Sequence, residues 1–303
     1  MLSILIPEYN YNCYKLVCKL AGQCEKANVV FEIIVLDDKS TLCKEENILI
    51  ECITGCRLVE SDYRLGAAKA RNRLVSMAQY QHLLMLDCDA EIRDDLYIQR
   101  YLDIMKQHPV IVGGVCYTSR IPSAGFRLRW IYGRKRECRS AEMRNRKPYK
   151  SFLSFNLMID RDIMLSHPYD EYFTDYGHED SVMGLALSQA GISVFHTENP
   201  LIHNGLDPDP DYLAKSRKAV EKYVTNPAFQ SEERIAQIKL FRVFRRIQKY
   251  GLDRLLAFGF RHFRGIMERN LCSLSPSLTI FDLYRLSYLC HYYLQVSKPA
   301  TLK

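Results

Sequence analysis

Paired cysteines are missing from this chain. Its eleven cysteines stand singly, with no C-x-x-C and no zinc-type spacing, which excludes a zinc ribbon and argues against a disulfide framework. Several sit in apolar helix- or strand-like runs, among them Cys24, Cys52 and Cys116, as free thiols in a reducing compartment do. Long apolar runs are missing too. No stretch approaches the roughly 18 uninterrupted apolar residues that span a bilayer. The opening MLSILIP lacks the charged start, long apolar core and small-residue cleavage site of a signal peptide. The expectation is a cytoplasmic protein, with peripheral contact at the inner face of a membrane. Neither G-x-x-x-x-G-K-[ST] nor G-x-G-x-x-G follows the first apolar run, so neither a P-loop nor a dinucleotide fingerprint is present. Internal repeats and low-complexity segments are also absent.

What the chain does have is 303 residues and 48% apolar content, enough for one large α/β domain and an appendage. The net charge of +7 is unevenly spread. Residues 111–150 hold 11 basic and 2 acidic side chains, and residues 239–303 hold 12 and 3. Residues 1–110 and 151–238 are net acidic. Two basic blocks of this kind favour anionic partners.

The first ninety or so residues alternate between two periods. Apolar strand-like runs occur at Ser3–Ile6, Phe31–Leu36, Arg57–Val59 and His82–Leu86. Between them, apolar residues recur at helical spacing (Leu16, Val17, Leu20, Ala21, Cys24; then Ile48, Leu49, Cys52, Ile53; then 66–78). Continuous apolar strands with intervening helices predict a parallel sheet covered on both faces. Further on, the pattern predicts a helix over 94–107, a Gly113–Gly114 pair inside a strand-like run, a strand over 152–159, a helix over 181–190 and a strand over 192–196. DPDPD (207–211) reads as a linker, with helices from there to the end.

Open parallel sheets bind ligands at the carboxyl ends of their strands, and here those ends are polar. The first run leads into Pro7, Glu8 and Tyr9, the second into Asp37 and Asp38, and the fourth into Asp87 and Asp89. Two carboxylates one residue apart suit a hard divalent cation, which prefers oxygen ligands. Without a glycine-rich loop, a cation would handle much of a diphosphate's charge. A further acidic pair, Glu179 and Asp180, opens a predicted helix. Such acids also complement a helix dipole without any chemistry.

Taken together, SILIPEYN (3–10), EIIVLDDKS (32–40), GAAKARNRLV (66–75), LMLDCDAEI (84–92), GHED (177–180) and LIHNG (201–205) resemble the glycosyltransferase family 2 pattern on a GT-A fold. The resemblance implies a Rossmann-like, mostly parallel α/β sheet flanked by helices, with a nucleotide-diphosphate sugar as donor and inversion at the anomeric carbon. By that resemblance Pro7, Glu8 and Tyr9 would line base and ribose, Asp38 would accept from a uracil imide, and Arg71 would reach the base or diphosphate. Asp87 would contact ribose or metal, Asp89 would ligate Mn2+ or Mg2+, and His203 would add an imidazole, which suits Mn2+ better. Asp180 would be the general base, and Glu179 would hold the acceptor or tune its partner. Gly113 and Gly114 would let the backbone approach the sugar, and Asn156 would face the donor. Lys39 and the lack of tryptophan beside GHED depart from commoner members.

The expected organisation is a catalytic domain over 1–211, with 118–150 as a basic acceptor lid, and a helical C-terminal extension over 212–303. The expected partners are a nucleotide-sugar donor, a glycan or lipid-linked acceptor of surface polysaccharide synthesis, and an anionic membrane surface, but not nucleic acid. The membrane reading rests on 239–269, where nine Lys/Arg and two acids interleave with phenylalanines. An apolar face packed on the catalytic domain is the other use of that segment. Two rival functions are a nucleotidyltransferase on a similar sheet, disfavoured by PEYN in place of a glycine-rich lysine loop, and a non-catalytic module that binds anions.

Overall fold

The computed structural model describes residues 1–172, 179–225 and 238–296. They divide into two units, one of residues 1–118 with 137–205, the other of 119–136 with the helices from 206 onward. The boundary thus falls at Gly205, before DPDPD, and the basic segment 118–150 is shared between the units.

The first unit is built on a seven-stranded sheet. Its strands are β1 (Leu2–Glu8), β2 (Phe31–Asp37), β3 (Cys56–Glu60), β4 (His82–Leu86), β6 (Val110–Val112), β8 (Asn156–Asp160) and β9 (Phe195–His196), in the order β3-β2-β1-β4-β8-β6-β9. All neighbours are parallel except β8, which runs antiparallel to both β4 and β6. The side chains of Leu2, Ile4, Leu5 and Ile6, like those of Ile33 to Leu36, are wholly buried, as expected of strands covered on both faces. A second sheet of three short strands joins β5 (Ala90–Glu91), β10 (Leu201–His203) and β7 (Val115–Cys116).

Helix α1 (Tyr14–Lys26) buries the stripe Leu16, Val17, Leu20, Ala21 and Cys24. A short α2 (Lys44–Asn47) runs into a 3-10 turn over 48–52, where a regular helix is expected from the spacing. Helix α3 (Ala67–Met77) starts after Gly66, whose φ of +82° is open to glycine. The helix expected over 94–107 is only α4 (Tyr97–Leu102). Asp94 accepts from Leu96 N and pairs with Arg100 through both guanidinium nitrogens, a local turn that competes with helix. The Gly113–Gly114 pair divides its apolar run between β6 and β7, which lie in different sheets. Short helices α6 (Ala141–Asn145) and α7 (Arg161–Ser166), and then α8 (Glu179–Gln189), complete the unit.

The second unit is helical: α5 (Arg127–Tyr132), α9 (Asp209–Thr225), α10 (Lys239–Lys249), α11 (Asp253–Leu271) and α12 (Leu278–Val296). The last three residues of DPDPD, from Asp209, open α9, since proline is tolerated in a first turn and acids complement the dipole there. Asp209 is fully buried and accepts from Leu128 N at 2.8 Å, fastening α5 to α9. The core gathers Leu128, Tyr212, Leu213, Phe260, Met267, Leu271, Phe281 and Tyr284. Arg136 grips Asp282 through two hydrogen bonds of 2.7 and 2.6 Å. Among the described residues, no helix is long and apolar enough to cross a membrane.

Candidate active site

Strands β1, β2 and β4 are adjacent and parallel, so their polar ends open on one edge of the sheet. Pro7, Glu8, Tyr9, Asp38, Arg71, Asp87 and Asp89 line a single cleft there of about 210 Å³, together with Arg64, Ala67, Ala70 and Cys88.

The β1 and β2 ends are knitted together. Glu8 is buried and accepts from Tyr11 N at 2.8 Å and from the Ser40 hydroxyl at 3.1 Å. Burial raises its pKa, the Tyr11 amide opposes that, and Asp37 adds to it. Asp37 accepts from Ser40 N. Asp38 is occupied by the loop before α3: Oδ1 accepts from Leu65 N at 2.5 Å, and Oδ2 accepts from Gly66 N and pairs with Arg64, each at 2.9 Å. The Arg64 guanidinium also lies over the Tyr9 ring, 3.1 Å from its centroid. Arg64 therefore sits on two of the groups that the resemblance assigns to the base, Tyr9 and Asp38. Nothing in the local pattern marks it out, because a loop arginine one residue before Leu65 reads as solvated.

The second half of the cleft is organised by Arg71. Small residues on the buried face of α3, Ala68 and Ala70, let the helix approach the sheet closely enough to bury this arginine to 5% exposure. Its Nη2 donates to Asp87 Oδ1 at 2.6 Å, and its Nη1 lies 3.8 Å from Glu179 Oε1. Burial opposes the guanidinium charge, but Asp87 and the other groups around it outweigh burial and raise the pKa. Next to Glu179, Asp180 accepts through Oδ1 from Ser154 N at 3.0 Å and from the Ser154 hydroxyl, which also meets the Tyr169 hydroxyl. Burial first, then Glu179, pushes the Asp180 pKa up to about 7, against the pull of Arg71. That value is well matched to proton transfer near neutral pH. Ser154 and Tyr169 are therefore site residues that the pattern does not reveal, since neither lies in a recognisable motif. Gly177 and His178 of GHED lie outside the described residues.

Asp89 follows β4, and His203 ends β10. The β5–β10 pairing places His203 opposite Ala90 and brings its Nε2 to 3.6 Å from Asp89 Oδ2. That separation is too long for a hydrogen bond but suits two ligands of one ion. The imidazole stacks between Tyr117 and Phe155, each 5.3 Å away between centroids, and its buried Nδ1 has no hydrogen-bond partner. Gly205 is required beside it, because a Cβ there would lie 1.9 Å from Asp89 Oδ2. An oxygen and an imidazole nitrogen fit Mn2+ better than Mg2+. Among the described residues no three His, Cys, Asp or Glu side chains form a ready cage, so a cation would need oxygens from its ligand as well.

Two residues expected at the donor are used elsewhere. Asn156 is 1% exposed; its Oδ1 accepts from Tyr97 and Tyr101, and its Nδ2 donates to Gly114 O and Asn199 O. All four hydrogen-bonding positions of the amide are filled, leaving none for a sugar. Gly114, at φ +93°, makes room for Arg144, whose Nη2 would be 2.7 Å from a Cβ. Arg144 itself, inside the basic segment, is not a solvated arginine. It is buried, donates to Val112 O, Gly113 O, Thr197 O and Arg139 O, and bonds His196 Nδ1 at 2.9 Å. His196 in turn bonds Pro148 O through Nε2, and burial lowers its pKa to about 4, so it stays neutral.

Residues 3–164 match the Glycosyl transferase family 2 profile. Chondroitin synthase of Escherichia coli is 32% identical over 107 residues, which are 34% of this chain and only 15% of that enzyme. Among solved structures, a mannosyltransferase from Pyrobaculum calidifontis in complex with GDP-Man and Mn2+ is similar at a TM-score of 0.54 and 15% identity, covering 98% of this chain and 88% of that one. S. aureus TarS (1–349) in complex with UDP-GlcNAc is similar at 0.53 and 13%, covering 97% and 90%. Glucosyl-3-phosphoglycerate synthase from Mycobacterium tuberculosis, in complex with Mn2+, UDP and glucosyl-3-phosphoglycerate, is similar at 0.53 and 15%, covering 77% and 81%. With more than half of its length inside the family profile and a GT-A architecture around the cleft, the chain belongs to glycosyltransferase family 2.

Proposed function

We propose that this enzyme moves a sugar from a UDP-sugar to a hydroxyl of a glycan or lipid-linked acceptor, inverting the anomeric configuration, in surface polysaccharide biosynthesis. The observation that carries the reading is the gathering of Asp87, Glu179 and Asp180 around the buried Arg71, at the sheet edge where Asp89 also lies. A cluster with one base of raised pKa and one fixed cation suits displacement of an anionic leaving group. The nucleotide complexes of the structural relatives support the donor class, and the chondroitin synthase similarity supports a glycan acceptor.

In this reading Tyr9 offers a stacking face to the base, and Arg71 sets the potential for the diphosphate. Asp180 takes the proton of the acceptor hydroxyl. That oxygen bonds to the anomeric carbon while the bond from carbon to diphosphate oxygen breaks, and the nucleoside diphosphate leaves with the electron pair. Glu179, beside the base, keeps its carboxylate on Arg71 and orients the acceptor. Asp89 and His203, with Asp87 nearby, would hold Mn2+ or Mg2+, which when bound neutralises charge on the departing diphosphate. The test is a panel of nucleotide-sugars incubated with Mn2+. Release of UDP from one sugar nucleotide is expected, and release of sugar 1-phosphate instead would point to nucleotidyl transfer.

A further inference from the structure

Helix α11 is apolar on two opposite sides, and only one of them is packed. Ala257, Phe260, Met267 and Leu271 are buried, and Phe260 meets Tyr284 and Tyr288 of α12 at 5.4 and 5.1 Å between ring centroids. The other side carries Leu255, Phe258, Phe263 and Ile266, each 55–65% exposed. Their offsets of three, eight and eleven residues return to one side of a 3.6-residue helix. Leu252, 48% exposed, extends the same side toward α10. A contiguous exposed stripe of large apolar side chains marks a contact surface.

The charges around the stripe indicate what covers it. Arg242, Arg245, Arg246 and Lys249 of α10 are exposed, as are Arg254, Arg261 and Arg269 of α11. Of the two acids between 239 and 269, Glu268 is already held by Arg217, Arg264 and Tyr284. A second copy of this surface would bring like charges together. An apolar strip rimmed by arginine instead complements acyl chains beneath anionic headgroups, with aromatic side chains at the boundary.

We propose that the Leu255–Phe258–Phe263–Ile266 face of α11 docks on an anionic membrane surface, with the arginines of α10 and α11 against the headgroups. The proposal deepens the reading of a lipid-linked or surface-glycan acceptor by naming where the enzyme meets that membrane.

The test is co-sedimentation of the full chain with phosphatidylcholine vesicles and with vesicles that also contain phosphatidylglycerol. Binding to the anionic vesicles is expected, weakening as salt rises. A Phe258→Ser/Phe263→Ser double variant should lose at least about tenfold in partitioning, and Arg245→Glu/Arg246→Glu should lose the preference for phosphatidylglycerol. These positions face solvent, and unchanged circular dichroism and unchanged UDP release would show that the variants fold. No binding to anionic vesicles at low salt, or equal binding by the phenylalanine variant, would overturn the proposal. So would a dimer in light scattering that the same substitutions abolish. Vesicle binding without any sugar transfer would sink the transferase reading and leave the docking surface standing.

Discussion

The Nη2 of Arg71 donates to Oδ1 of Asp87 at 2.6 Å, tying the third helix to the end of the fourth strand inside the cleft. Because the same guanidinium faces Glu179, its removal would strand three carboxylates beside one another. Arg71→Met is expected to destabilise the fold by about 3 kcal/mol, since breaking a buried pair leaves uncompensated charge. Urea titration checks this. Arg71→Lys should recover only part of the loss, because a single ammonium cannot reach both partners as a planar fork does.

Asp180→Asn should bind donor as the wild type does and lose about 10²–10⁴-fold in turnover, measured as kcat against KM for the nucleotide-sugar. A base must be unprotonated to act, so wild-type kcat/KM should rise as pH climbs through about 7. The stability consequence has the opposite direction. With its pKa raised in the folded state, this carboxyl binds a proton that the unfolded chain releases, so stability falls as pH rises from the ordinary aspartate range, near 3.8, to about 7. The asparagine variant should show a flatter stability profile over that window.

Arg64 covers Tyr9 and Asp38 Oδ2, which the proposed function gives to the base. Its side chain is half exposed, so in that reading it swings aside when the donor binds. Arg64→Ala is expected to tighten UDP about 3–10-fold, as removing a competing internal state does, whereas Tyr9→Ala should weaken it. Isothermal titration separates the two, and weaker UDP binding by Arg64→Ala would assign the arginine to the ligand instead.

Arg144→Leu should lower stability by about 2–4 kcal/mol, because Thr197 O loses its donor and the hydrogen bonds to Val112 O, Gly113 O and His196 Nδ1 go with it. Thermal unfolding checks it. If 141–147 were a mobile lid, the same substitution would change acceptor KM and leave the melting temperature in place.

The contrast between Arg71 and Arg144 shows what was legible in the chain. Strands β1, β2 and β4 could be read because wholly buried strands leave continuous apolar runs, and their polar ends mark the ligand edge. Arg71 could be placed because ARN recurs with its family motif. Arg144 sits in a dense basic segment where buried and solvated arginines look alike, and its partners are main-chain carbonyls with no sequence signature. Asn156 failed for a similar reason: the Tyr97 and Tyr101 hydroxyls and the Gly114 and Asn199 carbonyls that occupy its amide meet it only through tertiary packing. Asp180 carried a family role, but the hydroxyls that hold it, Ser154 and Tyr169, meet it only through tertiary packing. DPDPD misled because proline and aspartate suit a linker and a helix start equally well.

The most direct measurement is UDP release from a nucleotide-sugar panel in the presence of Mn2+, run on wild type, Asp89→Ala and Asp180→Asn with a chelator control. One UDP-sugar should be turned over by the wild type, with loss on chelation and in both variants, while Asp180→Asn still binds UDP in the same buffer. Full turnover by Asp89→Ala and Asp180→Asn would contradict the placement of the chemistry at this strand edge.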